Sequence, residues 1–365
     1  MTTVPTALRY AVLADGFLTT VSGKTAHGVL RYRPECVAAV IDATHAGRTV
    51  RDVLPHVGSD APIVATLAQA VSHGANALLV GVATDGGRLP PALRGTVLEA
   101  VSAGLNVASG LHELLGEDPE VAARARSSGA TIHDVRVPPR DQATFTGAAY
   151  DVPAFVVLAV GSDCAVGKMT AMFEIEAAAR ADGARAVLAA TGQTGILIAG
   201  DGVALDAVVA DFAGGAVERL VLEVGASADV VLLEGQGAIS HPAYAPVTFA
   251  LLYGGAPDAL VLCHRPGTTR VAGFAVPIPP LAELVRDHEA LLARVKPARV
   301  CAVALDTSAL TPAAAAAAID SARAETGLPA DDPVRNGGAA LWHAIAAALP
   351  STAKAALRRA AVTAP

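Results

Sequence analysis

The chain has 365 residues, of which 53% are hydrophobic and only 17% charged, and its formal net charge is −7. Average soluble chains carry roughly 25% charge, so this composition excludes low-complexity disorder, and the lack of any basic stretch excludes a nucleic-acid partner. Much of the excess apolarity is alanine, as in Thr311–Ile319, and no apolar run approaches the roughly 18 residues of a membrane span.

The length suggests two domains. Met1–Tyr10 has neither the positive n-region nor the apolar h-region of a signal peptide. Cys36, Cys164, Cys263 and Cys301 lie far apart with no CxxC pair, which disfavours a zinc ribbon or redox pair. A cytoplasmic protein with reduced thiols is expected. In chain order, Tyr10–Leu13 and Val37–Ile41 read as strands, Ala61–His73 as a helix and Ala77–Val82 as a strand. Pro90–Ala103 reads as a helix, with prolines at its start where a missing N–H is tolerated. Leu105–Ala108 is a short strand, Asp118–Ser128 a helix and Thr131–Val135 a strand. This βαβ rhythm predicts a parallel sheet covered on both faces. Val137–Asp151 contains Pro138, Pro139 and Gly147, shows no periodicity, and reads as a linker.

The second half opens on Ala154–Val160, an apolar run of buried-strand type, followed by a helix over Thr170–Ala181. Ala186–Ala190, Val230–Leu233, Ala259–Cys263 and Val300–Leu305 are further continuous apolar runs of the parallel kind. Helices are expected at Asp201–Ala213, Ala216–Val224, Pro280–Arg294, Pro312–Glu325 and Ala339–Ala348. The fold class is therefore α/β. A Rossmann-like parallel-sheet domain over residues 1–145 precedes a doubly wound α/β domain over residues 152–365.

The strongest chemical signal is the run Gly161, Ser162, Asp163, Cys164, Ala165, Val166, Gly167, Lys168, Met169 and Thr170, between a predicted strand and a predicted helix. Glycines let backbone N–H groups turn inward around an anion, the helix N-terminus adds positive potential, and Lys168 adds a full charge. Phosphate binding is expected from Gly161, Asp163, Cys164, Ala165, Val166, Gly167, Lys168, Met169 and Thr170. Two features depart from the common P-loop. Five residues separate Gly161 from Gly167, and Met169 stands where a Ser or Thr hydroxyl normally binds magnesium. Only Thr170, about 100° further round the helix, offers a hydroxyl.

Other polar stretches follow strands and should gather with the loop along one sheet edge. They are Thr191–Gly195, Glu234–Gly237 continuing to Ser240–Tyr244, and His264–Gly267. Glu234, His241 and Tyr244 are the candidates for acid–base work, and Gln193, Thr194, Gln236 and Arg265 for substrate contact, with Asp211 as a further acid. Lys24, Thr25, His27, Arg31 and Arg48 cluster near one strand of the first half, where a dicarboxylate would find cations. The remaining histidines have no metal-like spacing, and no metal site is expected.

Gly-x-Asp-x-x-Val-Gly-Lys is similar to the loop of dethiobiotin synthetase, and Glu234-Gly235 matches an acidic pair of those ATP-using enzymes. More of the chain resembles a bacterial family first catalogued as a domain of unknown function and described as D-glutamate N-acetyltransferases. The resemblance is carried by Gly161–Thr170, Thr191–Gly202, Val208–Phe212, Glu234–Pro246, Pro257–Pro266 and Glu325–Asn336. It implies a transferase that takes acetyl-CoA and an acidic amino acid, with CoA phosphates on the glycine loop and a homo-oligomer, dimer or tetramer, as its assembly. The alternative is a ligase or carboxylate-activating enzyme of the dethiobiotin synthetase type, which would require ATP with Mg2+. No membrane partner is expected in either case.

Overall fold

The computed structural model describes residues 1–5 and 7–350. The chain divides into two units: Met1–Pro139 with Gly192–Ala207, and Arg140–Thr191 with the chain from Val208 onward. The second unit thus begins within the proline-rich stretch, and a short excursion of the later chain returns to the first unit. The last stretch of the expected second domain, 351–365, lies outside the described residues.

In chain order the first half forms β1 (Thr2–Thr3), β2 (Tyr10–Leu13), α1 (Lys24–Tyr32), β3 (Val37–Ile41), α2 (Val50–Val53), β4 (Ile63–Val64) and α3 (Leu67–Ser72). There follow β5 (Ala77–Val80), α4 (Pro91–Ser102), β6 (Asn106–Ser109), α5 (Pro119–Ser128) and β7 (Ile132–Asp134). Six strands pair in the order β4-β3-β2-β5-β6-β7, all parallel. This is the doubly wound order with a switch point beside the first strand. The core is its Val, Leu and Ala side chains, among them Leu13, Ile41, Leu78, Val97 and Val107.

One expectation fails here for a local reason. Ala61–His73 is not one helix. Thr66 is an N-cap whose side chain accepts from Gln69 N while Gln69 reaches back, so the helix starts at Leu67. Ile63–Val64 instead pairs with Val40–Ile41. Lys24–Tyr32, for which the sequence predicts no element, is a helix that buries Thr25, Ala26, Gly28, Val29 and Leu30. Gly28 inside it is a poor helix former, and tertiary burial overrides the propensity. The cations near it bond locally: His27 Nε2 lies 2.6 Å from Leu18 O, Arg31 donates to His56 O, and Arg48 donates to Asp52 O.

The later chain forms β8 (Phe155–Gly161), α6 (Lys168–Ala181), β9 (Ala186–Ala189), α7 (Gln193–Ala199), β10 (Asp201–Gly202), α8 (Ala210–Gly225) and β11 (Val230–Leu233). It continues with α9 (Ala245–Gly254), β12 (Ala259–His264), α10 (Leu281–Leu292), β13 (Arg299–Leu305) and α11 (Pro312–Thr326). It ends, among the described residues, with β14 (Ala330–Asp331), α12 (Pro333–Asn336) and α13 (Ala339–Ala348). The second unit's sheet has the order β14-β13-β12-β8-β11-β9, again all parallel. Asp201–Ala213 is not a helix: β10 pairs antiparallel with β1, and one longer helix from Ala210 absorbs the expected Ala216–Val224. Residues 140–151 do not run free. The Glu218 carboxylate on α8 accepts from Thr146 N, Thr146 Oγ1 and Ala149 N. Among the described residues no helix is long and apolar enough to cross a membrane.

Asp118 shows how the first unit's helices are tied. It caps α5 by accepting from Glu120 N and Val121 N, and it meets Arg94 of α4 at 2.8 Å. Hydrogen bonding to Arg94 and to the Val121 amide outweighs desolvation and lowers its carboxyl pKa from 3.8 to about 2. A lowered carboxylate stabilises the fold above its unfolded value and loses that contribution as pH falls through the folded one. Asp118→Ala should therefore cost about 1 kcal/mol at neutral pH. In urea unfolding the gap to wild type should close between pH 4 and 2, and an unchanged gap at pH 2 would refute the linkage.

Candidate functional site

β8 is the central strand of the second unit, flanked by β12 and β11. The loops leaving these three strands are therefore neighbours at their C-terminal ends, where open α/β sheets bind ligands. The loop Ser162–Gly167 joins β8 to α6. Ala165 (φ 53°) and Gly167 (φ 89°) both take the left-handed conformation that turns the backbone back toward the helix.

Lys168 is the first residue of α6 and is buried, 7% exposed. Its Nζ donates to Asp163 O at 2.7 Å, back across the loop. Two glycines make room for it. A Cβ on Gly161 would lie 2.9 Å from Nζ, and one on Gly235 would lie 2.9 Å from Lys168 Cδ and 1.7 Å from Ala159 O. Burial lowers the Lys168 pKa, opposed by Cys263, Cys164, Asp163 and Glu234. Burial likewise pushes the neighbouring Cys263 thiol up to about 12, so it stays protonated.

Side chains brace the loop. Asp163 is buried, its Oδ1 accepting from Cys164 N at 2.7 Å and its Oδ2 from Ala272 N at 2.8 Å. Ser162 Oγ lies 2.8 Å from His264 Nδ1, at the end of β12. Burial lowers the His264 pKa, with Glu325 opposing, so this imidazole is held neutral. Arg265 donates through Nη2 to Ala165 O at 2.8 Å, and through Nε and Nη2 to one oxygen of Asp306, Oδ2, at 2.9 and 2.6 Å. Its guanidinium is a strut of the loop rather than a loose cation.

On the other side of β8, Glu234 is buried and its Oε2 accepts from Thr191 N at 2.9 Å. Thr191 Oγ1 returns the bond to Glu234 O at 2.8 Å. Gln236 reaches Thr191 Oγ1 through its side chain, and its carbonyl accepts from Thr248 Oγ1 at 2.7 Å. His241 is buried at 2% exposed, with Nε2 3.9 Å from Asp163 Oδ1. Its ring centroid lies 4.6 Å from Tyr244 and 5.3 Å from Phe274. Tyr244 and Phe274 are themselves 54% and 41% exposed.

The structure thus brings the glycine loop, Glu234, Gln236, His241, Tyr244 and Arg265 to one end of one sheet. Gln193 and Thr194 begin α7, two and three residues beyond Thr191, in a segment that belongs to the first unit, where Thr194 Oγ1 is 3.1 Å from Thr25 Oγ1. Asp211 lies on α8. Sequence reading missed Phe274, the Ala272 amide and Asp306. They sit in loops whose only signal was their place after a strand.

The donor sets test two metals. Met169 offers a thioether where a P-loop offers a hydroxyl, a poor ligand for Mg2+, which demands oxygen. Asp163, Cys164 and His241 place one donor atom each within 4.8 Å of one another. However, His241 Nδ1 accepts from Ala243 N at 3.2 Å and Tyr244 N at 3.3 Å. A metal-bound Nε2 requires the proton on Nδ1, aimed at those two amides. The trio does not fit a metal.

Sheet order and loop define a P-loop α/β unit accompanied by a Rossmann-like one. Residues 143–342 match the family described as DUF1611, a domain of unknown function with a P-loop domain, and 43–138 match its Rossmann-like N-terminal domain. The chain belongs to this family. It is 38% identical over 329 residues, 89% of its length and 95% of the relative's, to a protein of Tritonibacter scottomollicae named D-glutamate N-acetyltransferase. A Pseudoalteromonas protein of the same name is 33% identical, covering 74% of this chain and 82% of its own. The crystal structure of a DUF1611 family protein from Anabaena variabilis superposes with a TM-score of 0.88 at 38% identity, covering 93% of this chain and 99% of that one. The chain is an acyltransferase of this family.

Gly235 gives the sharpest test of this packing. A methyl group there would overlap a backbone oxygen of the central strand, which cannot rotate away. Gly235→Ala should destabilise by about 1–3 kcal/mol or more. A melting temperature equal to wild type would contradict the placement of Lys168 between two glycines.

Proposed function

We propose that the chain transfers the acetyl group of acetyl-CoA to the amino group of D-glutamate, with CoA phosphates held by Gly161–Thr170. The names of the relatives support the acceptor. The observation that carries the CoA reading is Lys168, a buried lysine at a helix start whose Nζ, among the described residues, donates to a neutral loop carbonyl. A phosphate oxygen is a far stronger acceptor for it, as charge-assisted bonds are roughly twice as strong as neutral ones. The loop amides and the α6 N-terminus add to the same anion site. Phosphates held but not cleaved need no magnesium, which suits Met169.

The reaction forms one C–N bond and breaks one C–S bond. The ammonium first loses its proton, and its lone pair attacks the thioester carbon. The attacking nitrogen then gives up its second proton, which passes to the departing sulfur, the tetrahedral oxyanion collapses, and CoA leaves as the thiol. Anchoring one end of the donor converts encounter into orientation. The pantetheine arm separates the phosphates from the thioester, so residues beside Lys168 meet the phosphate end. Glu234 there orders Thr191, and the base for the amine is expected at the arm's length from the loop. The four cysteines, none in a disulfide among the described residues, suit a cytoplasmic enzyme.

Purified protein mixed with acetyl-CoA and a panel of D- and L-amino acids, read by free thiol, tests the proposal. D-glutamate should react fastest, and a wide lead for neutral or L-amino acids would overturn the acceptor. Activity should persist in EDTA and ATP should release no phosphate. Arrest by EDTA with recovery in magnesium would favour the ATP-dependent ligase instead. Lys168→Ala should fold and weaken CoA binding by roughly 1.5–3 kcal/mol. Calorimetry with unchanged affinity would remove the loop from CoA recognition.

A further inference from the structure

His241 is a buried histidine whose two ring nitrogens are in unequal settings. Nδ1 accepts from two successive backbone amides, Ala243 N at 3.2 Å and Tyr244 N at 3.3 Å. A nitrogen facing two N–H donors must present its lone pair, so the ring proton sits on Nε2. Protonating Nδ1 would set three donors against one another.

Nε2–H has no hydrogen-bond acceptor among the described residues. The nearest carboxylate oxygen, Asp163 Oδ1, is 3.9 Å away and already accepts from Cys164 N. A ligand oxygen placed against this nitrogen would supply the acceptor. The ring is fixed as well as polarised. Tyr244 packs at 4.6 Å, Phe274 at 5.3 Å, and Ala272, two residues before Phe274, is tied to Asp163. The turn itself supplies the amides: His241, Ala243 and Tyr244 lie within one four-residue stretch, and the helix that follows starts at Ala245.

We propose that His241 is a fixed, neutral hydrogen-bond donor that recognises an anionic oxygen of the ligand in the glycine loop, through Nε2–H, and is not the base of the reaction. This rests on the CoA reading for the identity of that oxygen, a phosphate oxygen. It reverses the expectation that His241 takes a proton from the amine. Its lone pair faces the amides of its own turn, and the nitrogen that faces Asp163 already carries hydrogen.

Two measurements separate this proposal from the CoA reading. In the ligand-free protein, nitrogen NMR of 15N-labelled histidine should show His241 with a bare Nδ1 and a protonated Nε2, whatever the ligand. A proton on Nδ1 overturns the proposal. Adding CoA, or inorganic pyrophosphate as the simpler probe, should shift the Nε2–H resonance, and no shift with either overturns it too. Kinetics give the second reading. His241→Ala should raise the KM for acetyl-CoA about 10–100-fold, with kcat within a few fold of wild type. His241→Gln, whose side-chain amide can place an N–H near the same point, should recover part of that loss. A kcat lowered by the 10²–10⁴-fold typical of a lost base, at unchanged KM, would make His241 the base after all. Wild-type protein that binds CoA but acetylates nothing would contradict the proposed function and leave the tautomer and shift measurements as they stand.

Discussion

A lysine ammonium taken out of water costs several kcal/mol unless something answers it, and the second unit is arranged around one. Lys168 lies where the backbone of Gly161 and that of Gly235 leave no room for side chains, and its Nζ ends on a loop carbonyl. Around it stand a protonated Cys263, a buried Asp163 and a buried Glu234. Both carboxylates oppose the fall of the lysine pKa, and both also order loops. Asp163 holds Cys164 N and Ala272 N, and Glu234 holds Thr191 N. The negative charge thus orders loops as well as facing the lysine.

The bracing explains why a loop of small residues keeps one shape. Each strand next to β8 contributes a strut: His264 and Arg265 from the end of β12, the Glu234–Thr191 exchange between the ends of β11 and β9. The neutral state of His264 matters here, since a charged imidazole would oppose an already buried lysine. His241 carries the same economy further, because its own turn fixes which nitrogen faces the loop. On the proposed reading, such preorganisation of the backbone would lower the cost of binding an anion.

Much of this was legible in the sequence. Apolar runs gave β2, β3, β11 and α13 at their observed limits, because continuous β-branched and alanine patterns have few alternatives. The loop was legible because glycines and a lysine between a strand and a helix have few innocent readings. What failed was tertiary in origin. α1 carries an internal glycine and forms because it is buried, and Gly192–Ala207 joins the first unit through pairings such as Thr25 with Thr194 that no local pattern announces. The tautomer of His241 could not be read at all, since it depends on the direction of two amides.

The central claim is that the buried lysine serves a phosphate of CoA. A crystal structure of the protein with CoA tests it most directly. The account predicts a phosphate group cradled by the amides from Gly161 to Lys168, with Lys168 Nζ moved from Asp163 O to a phosphate oxygen and His241 Nε2 within hydrogen-bond reach. CoA bound elsewhere, with Lys168 still on the Asp163 carbonyl, would contradict it.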